Sequence, residues 1–213
     1  MNAVVVGNGE IENLERVVRE VGPDALIVCA DGGVTNALAL GLKPHVVIGD
    51  LDSIDIGLRH KLQEGGVEFI TYPSHKDETD SELALRYCIA RGAGSILFIG
   101  ALGRRLDHSL ANLLLLADPM WRSASVRIVD GRTTIELCSS HCEISGHPGD
   151  IVSLLPLGGD ARGVRTEGLE YPLRDETLFF GPARGVSNVM LGHRAAVTVQ
   201  EGLVLVIHVD TAQ

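Results

Sequence analysis

Short apolar runs alternate with helical patterns through the first 117 residues, and this alternation narrows the possible folds more than any other feature. The runs comprise residues 3–6, 25–29, 45–48, 67–70 and 95–99. Most of them lack apolar–polar alternation, as expected of strands that are covered on both faces of a parallel sheet. The segments between the runs carry apolar residues at helical spacing. The chain is therefore predicted to begin with a mostly parallel, doubly wound α/β domain.

From residue 125 onward the pattern changes to short strand-like runs that are separated by Gly, Pro or Asp turns. Turn signals at a spacing of about 8–12 residues favour an all-β sandwich. The last two runs, 196–200 and 203–209, are joined by Glu201-Gly202 and predict a closing hairpin. We therefore predict an α/β domain at residues 1–121 and a β-sandwich domain at residues 122–213.

The composition excludes several classes of partner. With 45% hydrophobic and 22% charged residues, the chain has the composition of a soluble globular protein. Its net charge of −10 argues against a nucleic-acid or anionic-membrane surface, because both require clustered Lys and Arg. No apolar run approaches the ~20 residues of a membrane span. The four cysteines form no C-x-x-C pair, so we expect reduced thiols in a cytoplasmic protein.

Two carboxylates stand directly after the third predicted strand, in the stretch Gly49-Asp50-Leu51-Asp52-Ser53. If the chain stays extended there, Asp50 and Asp52 share a side and can reach one hard cation. Mg²⁺ prefers such oxygen ligands and usually keeps several waters. The alternative is a solvated Asp-rich turn, because Asp and Ser are ordinary turn formers.

A second acidic stretch follows the fourth predicted strand. Thr79 and Glu82 match a capping box, which places Asp80 in the first turn of a helix, where the dipole favours an anion. For Asp77 and Glu78, the alternative is that they only complement the positive end of the same helix. Lys76 is either a surface charge or a point charge for a phosphate.

The third stretch, Gly100 to His108, combines glycines with Arg105 and Asp107 after the fifth predicted strand. Glycines at a strand-to-helix turn allow backbone N–H groups to approach a phosphate, and the helix N-terminus adds a favourable field. Right-handed crossovers bring all the strand exits to one edge of the sheet. Carboxylates, basic groups and glycine turns at one edge together predict a site for a Mg²⁺–nucleotide complex.

In their order along the chain, these stretches resemble the motif series of the thiamine pyrophosphokinase (thiamin diphosphokinase) family. The matching segments in the first half are Asp31–Gly33, Gly49–Ser53, Lys76–Asp80 and Arg105–His108 with Asn112. The second half contributes Gly168–Leu173 and Gly185–Asn188, which are similar to the C-terminal signatures of that family. The resemblance spans nearly the whole chain.

The resemblance implies an α/β catalytic domain followed by a β-sandwich that binds thiamine. It also implies a homodimer whose active site lies at the subunit interface. The expected reaction moves the terminal diphosphate of ATP to the hydroxyethyl oxygen of thiamine, giving AMP and thiamine diphosphate. The attacked atom is then the β-phosphorus. Such a transfer does not require a strong general base, although Asp52 or Asp80 could accept the proton of the hydroxyl.

Carried over position by position, the resemblance assigns roles to residues that can be grouped by ligand. The metal set is Asp50, Asp52, Asp80 and Asp107. The nucleotide set is Asp31, Gly32, Lys76, Thr79, Arg105, Asp107 and His108. The substrate set is Ser53, Ser187 and Asn188, and the catalytic set is Asp50, Asp52, Asp80, Lys76 and Arg105.

One position departs from the family pattern, because Arg104 stands where the family usually has glycine. If that glycine held a positive φ, Arg104 would strain the turn by about 1–2 kcal/mol. Alternatively, Arg104 adds a second phosphate contact and retunes nucleotide affinity. Two rival functions also stay open. They are a diphosphokinase for another small alcohol, such as a hydroxymethylpterin, and a non-catalytic sensor of thiamine diphosphate or a nucleotide.

Overall fold

The computed structural model describes residues 1–211, apart from the side chain of Arg122. The predicted second domain, 122–213, thus ends two residues beyond the described range. The chain divides into two compact units, Met1–Gly131 and Arg132–Gln213. Among the described residues we find no helix with the length and apolar character that a membrane crossing needs.

The first unit alternates strands and helices along the chain, as the sequence predicts. Its strands are β1 (Asn2–Val6), β2 (Leu26–Ala30), β3 (Val46–Gly49), β4 (Glu68–Thr71), β5 (Ser95–Ile99) and β6 (Ser125–Asp130). Its helices are α1 (Leu14–Glu20), α2 (Gly33–Ala39), α3 (Ile56–Glu64), α4 (Asp80–Ala90) and α5 (Leu106–Leu115), and a 3₁₀ turn spans Pro119–Ser123.

The six strands of the first unit lie in the order β6-β5-β1-β2-β3-β4, and every neighbouring pair is parallel. Val4, Val5 and Val6 of β1 are all buried, which shows that both faces of the sheet are covered. The predicted doubly wound α/β architecture is confirmed. The strand order reverses between β1 and β5, and in such sheets ligands bind outside the carboxyl ends at this switch point.

Strand β6 belongs to the first unit, because its residues pair in parallel register with β5, for example Ile96 with Val126. The division between the units accordingly falls at Gly131–Arg132. A boundary at 121/122, as predicted, would separate β6 from its partner strand. The run 126–129 reads equally well as the first strand of a sandwich, since periodicity gives no pairing partner.

The second unit is a sandwich of two antiparallel sheets. Its strands are β7 (Thr133–Cys138), β8 (His141–Ser145), β9 (Ile151–Pro156), β10 (Ala161–Glu167), β11 (Arg174–Leu178), β12 (Asn188–Val189), β13 (Arg194–Thr198) and β14 (Val204–Val209). One sheet runs β12-β9-β14-β7 and the other β11-β10-β13-β8. The buried side chains of both sheets form one apolar core, which includes Leu154, Val164, Val197 and Val206. The predicted sandwich is confirmed.

The predicted closing hairpin is wrong. Strand β13 pairs with β8 and β10, whereas β14 pairs with β7 and β9. The turn at Glu201-Gly202 therefore leads from one sheet to the other. Two adjacent strand patterns with a glycine turn fit a hairpin and a crossing between sheets equally well, and only the packing of the core decides between them.

All four cysteines are free and buried. Burial raises the pKa of Cys29 to about 12, so its thiol stays protonated at neutral pH. Cys138 and Cys142 pack in the core of the sandwich as apolar strand residues.

We expect Ile128→Ala in β6 to lower the free energy of unfolding by about 2–5 kcal/mol, because Ile128 is fully buried in the first unit. The measurement is equilibrium unfolding in urea, followed by signals from both units. Ser125→Ala at the exposed start of the same strand is the matched control, with an expected change within about 0.5 kcal/mol. Equal effects of the two substitutions would contradict the buried position of β6.

Candidate active site

Three carboxylates meet at the carboxyl ends of β2 and β3. Asp31, Asp50 and Asp52 each offer an oxygen, and these three atoms lie within 4.8 Å of one another. Gly49 makes this approach possible, since a Cβ at that position would lie 2.9 Å from Cβ of Asp31 and 3.1 Å from Cγ of Asp80. The fold thus brings together acids from three separate stretches of sequence.

Asp50 and Asp52 come together through a turn and not through an extended chain. Leu51 between them has φ of 65°, in the left-handed region that side chains rarely adopt. Its side chain is 5% exposed, so burial of the leucine holds this conformation in place. The backbone N–H of Asp52 then donates to Oδ1 of Asp50 at 3.4 Å. The expectation of an extended chain at this point is wrong, and Leu51 is a positioning residue that the sequence did not reveal.

Asp31 has a strained backbone as well, with φ of 43°. Its N–H donates to the carbonyl of Ile48 in the neighbouring strand at 2.8 Å. Oδ1 of Asp31 is buried and has no hydrogen-bond partner among the described residues. Unusual backbone conformations of this kind cost about 1–3 kcal/mol each and cluster at functional sites.

Asp80 begins α4 and forms an ion pair with Lys76, in which Nζ lies 2.9 Å from Oδ1. Oδ1 of Asp80 has no further hydrogen-bond partner among the described residues. Nζ of Lys76 also donates to the carbonyl of Pro73 at 3.2 Å. As predicted, Thr79 caps the helix, since its hydroxyl accepts from the N–H of Glu82 at 3.1 Å.

We call Asp31, Asp50, Asp52 and Asp80 the acidic group, and the pKa values of two of its members are shifted in opposite directions. Burial raises the pKa of Asp80, the charges of Asp31 and Asp50 raise it further, and Lys76 opposes the shift. The pKa of Asp50 is lowered, chiefly because the N–H of Asp52 donates to it, with further help from the hydroxyl of Ser74. Asp80 is therefore the member for which ionisation is disfavoured without an added cation.

The turns after β1 and β5 interlock through glycines at the switch point of the sheet. A Cβ on Gly9 would lie 1.8 Å from the carbonyl oxygen of Leu102, and one on Gly7 would lie 2.4 Å from that of Gly100. Asn36 of α2 donates from Nδ2 to the carbonyls of Gly7 and Gly9 at 2.8 and 2.7 Å. Asn36 was not identified from the sequence, because a lone asparagine in a helix carries no recognisable signal.

The turn after β5 is held from α5. The hydroxyl of Ser109 accepts from the N–H of Gly103 at 3.0 Å and lies 3.2 Å from the carbonyl of Arg105. Nδ2 of the buried Asn112 donates to the carbonyl of Ala101 at 2.6 Å. These two helix residues fix the backbone between β5 and α5.

Arg105 and Asp107 pair with each other. Nε and Nη2 of Arg105 donate to the two carboxylate oxygens of Asp107 at 3.0 and 2.6 Å, and this hydrogen bonding lowers the pKa of Asp107. Both side chains and that of His108 are exposed. Within the described chain, the group of mutually close acidic oxygens does not include Asp107.

Arg104 is not strained, because it is absent from the described residues that have a positive φ. Its Nε lies 2.5 Å from Oε1 of Glu10, in an exposed ion pair. Gly103 is the crowded position of this turn, since a Cβ there would lie 3.2 Å from Cα of Gly9. The expected strain at Arg104 is therefore wrong, while a phosphate contact of Arg104 stays a prediction.

The residues of the acidic group fit a hard divalent cation. Their donors are all carboxylate oxygens, which suits Mg²⁺ and not a softer metal. Oδ1 of Asp31 is buried without a hydrogen-bond partner among the described residues, and Oδ1 of Asp80 is contacted by Lys76. A cation would also relieve the repulsion from Asp31 and Asp50, which adds to the effect of burial in raising the pKa of Asp80.

The second unit contains a cavity of about 410 Å³ whose walls include Tyr171, Arg184, Val186 and Asn188. Ser187 lies between two of these residues in the sequence. Such a volume falls within the range of small-molecule pockets. Ser187 has φ of 62°, and its N–H donates to the hydroxyl of Ser153 at 3.0 Å.

Asn188 is occupied by the backbone of Tyr171. Its Oδ1 accepts from the N–H of Tyr171 at 3.0 Å, and its Nδ2 donates to the carbonyl of the same residue at 2.7 Å. Asn188 is 8% exposed, whereas the side chain of Tyr171 is exposed. This asparagine therefore positions the segment that presents Tyr171 to the cavity.

Two of the remaining predicted site residues have simple local roles. Ser53 donates from its hydroxyl to Oδ1 of Asp52 at 3.1 Å. Gly32 is the N-cap of α2, and a Cβ there would lie 2.7 Å from Nδ2 of Asn8. Gly32 thus brings the turn after β2 against the turn after β1.

A second cluster of titratable groups lies in the second unit, around Asp150. Oδ2 of Asp150 accepts from the N–H of His147 at 2.8 Å and lies 2.9 Å from Nε2 of His208, while Oδ1 accepts from the N–H of Thr211 at 3.0 Å. These hydrogen bonds satisfy the carboxylate. The cluster joins β14 to the turn before β9.

Two family profiles match most of the chain. One, described as "Thiamin pyrophosphokinase, catalytic domain", matches residues 19–129, and the other, "Thiamin pyrophosphokinase, vitamin B1 binding domain", matches residues 141–204. The thiamine pyrophosphokinase of Bacillus subtilis is 25% identical over 192 residues, covering 85% of this chain and 86% of the relative. Thiamine pyrophosphokinase 1 of Arabidopsis thaliana is 28% identical over 219 residues, covering 86% and 78%.

Solved structures share the fold over the full chain. The crystal structure of thiamine pyrophosphokinase from Bacillus subtilis superposes with a TM-score of 0.88 at 23% identity and covers 100% of both chains. Yeast thiamin pyrophosphokinase superposes with a TM-score of 0.75 at 16% identity, covering 98% of this chain and 86% of that one.

The raised pKa of Asp80 predicts a pH-dependent stability. A carboxyl whose folded pKa exceeds its unfolded value stabilises the protein at low pH, and this stabilisation is lost as pH rises through the folded pKa. We therefore expect Asp80→Asn to raise the free energy of unfolding of the divalent-free protein at about pH 7. The gain should shrink as pH is lowered toward about 4. Chemical denaturation in EDTA over this range measures it.

Asp107→Asn is the control with the opposite sign. The pKa of Asp107 is lowered by Arg105, so its ionised form is favoured in the folded protein, and its replacement should bring no gain at neutral pH. If Asp107→Asn raised the free energy of unfolding as much as Asp80→Asn, the effect at Asp80 could not be ascribed to its raised pKa.

Proposed function

The chain belongs to the thiamin pyrophosphokinase family and acts as a thiamine diphosphokinase, and we propose that it takes the diphosphate from ATP with Mg²⁺ as the cation. The observation that carries the proposal is the convergence of Asp31, Asp50 and Asp52, whose oxygens lie within 4.8 Å of one another beside the Asp80–Lys76 pair. A polyphosphate needs cations at its oxygens, and the carboxylates are the ligands that a hard cation needs.

The nucleotide is proposed to bind along the carboxyl edge of the parallel sheet. The glycine turns after β1 and β5 lie at the switch point, where backbone N–H groups can approach phosphate oxygens. Asp31, Asp50, Asp52 and Asp80 would hold Mg²⁺, which when bound neutralises charge on the phosphates. Lys76 stands next to this group and supplies a positive charge to the migrating diphosphate.

The transfer requires little covalent chemistry from the protein, since positioning and charge stabilisation account for most of the catalysis of phosphoryl transfer. In the proposed reaction, the hydroxyethyl oxygen of thiamine attacks the β-phosphorus and AMP leaves. Asp52, which is exposed, or Asp80, whose pKa is raised by burial, accepts the proton of the hydroxyl. Arg105 and Arg104 lie on the turn after β5 and are proposed as further phosphate contacts.

Thiamine is proposed to bind at the cavity of about 410 Å³ in the second unit. Tyr171 offers an exposed aromatic face, which suits the fixed positive charge of the thiazolium ring. Ser187 contributes its hydroxyl, and Asn188 keeps the Tyr171 segment in place. The acidic composition and the four free cysteines agree with a cytoplasmic enzyme.

We expect AMP formation that requires both thiamine and Mg²⁺, measured by separation of nucleotides. Asp80→Asn should lower kcat/KM by about 10²–10³-fold, because a charge that stabilises the transition state is lost. Glu78→Gln, which removes a carboxylate that contacts Arg86, is the control and should stay within about two-fold of the unaltered protein.

The same assay separates the rival functions. AMP formation with a hydroxymethylpterin and not with thiamine would favour the other diphosphokinase. Binding of thiamine diphosphate or nucleotide without AMP formation would favour a sensor.

The enzyme is further proposed to act as a homodimer with its active site at the subunit interface. Leu106, Leu110 and Leu114 follow one face of α5 at a spacing of four residues and are 69%, 50% and 58% exposed. The segment 109–117 contains no charged residue, although the whole chain has a net charge of −10. Two acidic copies can approach each other along such an uncharged apolar face without repulsion.

We expect Leu110→Glu to weaken the dimer by at least about ten-fold, because the two copies would face each other with buried carboxylates. Light scattering coupled to size-exclusion chromatography measures the mass. Ile56→Glu introduces the same group at a residue of α3 that is 73% exposed, and it should leave the mass unchanged. An unaltered mass for Leu110→Glu would place the contact between copies elsewhere.

A further inference from the structure

Lys76 is nearly buried although lysine is rarely found so, with a side chain that is 12% exposed. Two groups hold its ammonium, namely Oδ1 of Asp80 at 2.9 Å and the carbonyl oxygen of Pro73 at 3.2 Å. The position is therefore specific and does not reflect a solvated surface charge.

The surroundings of this ammonium are strongly acidic. Asp80 and Asp31 both lie against Gly49, and Asp31 shares its group of close oxygens with Asp50 and Asp52. Asp31 and Asp50 also repel the carboxylate of Asp80, and the charge of Lys76 offsets part of that repulsion. A divalent cation at the same place would have the same effect on the carboxylates, but it would compete with Lys76 for Asp80.

We propose that Lys76 serves as the internal counter-ion of the acidic site in the nucleotide-free enzyme and keeps Asp80 from a metal ion until a polyphosphate draws the ammonium away. The proposal rests on the proposed function of this site. It makes Lys76 a coupling residue, because its single charge is shared between two alternative partners, the carboxylate of Asp80 and the phosphate chain.

The geometry of the contacts suits such an exchange. The ammonium of Lys76 lies 2.9 Å from Oδ1 of Asp80 and is the one cation that contacts this oxygen among the described residues. The Pro73 carbonyl keeps the ammonium near the site when Asp80 is released. Nucleotide binding then raises the affinity for the cation through Lys76, and by reciprocity the cation raises the affinity for the nucleotide.

The test measures binding of Mn²⁺ to the full-length protein without nucleotide, by electron paramagnetic resonance of the free ion. We expect Lys76→Met to bind Mn²⁺ at least about ten-fold more tightly than the unaltered protein, because the competing charge is gone. Lys76→Gln should behave in the same way, and it keeps a donor for the Pro73 carbonyl. A non-hydrolysable ATP analogue should raise Mn²⁺ affinity about ten-fold less in both variants than in the unaltered protein.

Arg86→Gln is the matched control, since it removes one positive charge from α4, the helix that begins at Asp80. Arg86 contacts Glu78 and Glu82 and has no ion pair with Asp80. Its Mn²⁺ affinity should stay within about two-fold of the original value. If Arg86→Gln raised the Mn²⁺ affinity as much as Lys76→Met, the effect would be one of net charge alone and the proposal would be overturned. Unchanged or weaker Mn²⁺ binding in both Lys76 variants would also overturn it.

The outcome for Lys76 is separable from the outcome for the function. If the unaltered protein forms AMP from ATP and thiamine while the Lys76 variants bind Mn²⁺ no more tightly, only the counter-ion proposal fails. If the variants bind Mn²⁺ more tightly but the unaltered protein forms no AMP, the counter-ion proposal stands and the proposed reaction is wrong.

Discussion

The first unit holds several carboxylates close together although their charges repel one another. Asp31, Asp50 and Asp52 keep oxygens within 4.8 Å of one another, and Asp80 joins them across Gly49. Unconstrained side chains would separate and remain solvated. The parallel sheet prevents this, because it fixes the exits of β2 and β3 as neighbours and buries Leu51 in a left-handed conformation. Burial of apolar groups in the sheet thus supports a charge arrangement that is unfavourable by itself.

At the switch point of the sheet, by contrast, uncharged backbone groups approach each other closely. Gly7, Gly9 and Gly100 let the turns after β1 and β5 touch, and any Cβ there would collide with a carbonyl oxygen. Asn36 and Ser109 supply donors and acceptors to the same turns from two different helices. One edge of the sheet therefore combines a rigid, amide-rich segment with an acidic one, and a metal-bound polyphosphate requires both.

The sequence predicted what depends on local pattern and order, and it failed where packing decides. Apolar runs gave the parallel strands, and the capping box gave the start of α4 at Thr79. The partner of β6 and the separation of β13 from β14 depend on which sheet buries each strand, and no periodicity contains that information. The left-handed Leu51 and the bridging Asn36 were equally hidden, since each has an ordinary identity and owes its role to tertiary contacts.

The two basic residues that are proposed to contact phosphate, Arg105 and Lys76, both form ion pairs, but the pairs differ in environment. Arg105 and Asp107 are exposed, and such a pair is typically worth about 0–1 kcal/mol, so a phosphate can take Arg105 at little cost. Lys76 and Asp80 are mostly shielded from water, and separating them leaves a carboxylate among other carboxylates. A ligand that takes only the ammonium would therefore leave the site less stable than before. In the proposed mechanism, a polyphosphate that arrives with its own divalent cation would replace the charge that it removes, and the pair at Lys76 would thereby favour the complex over either component alone.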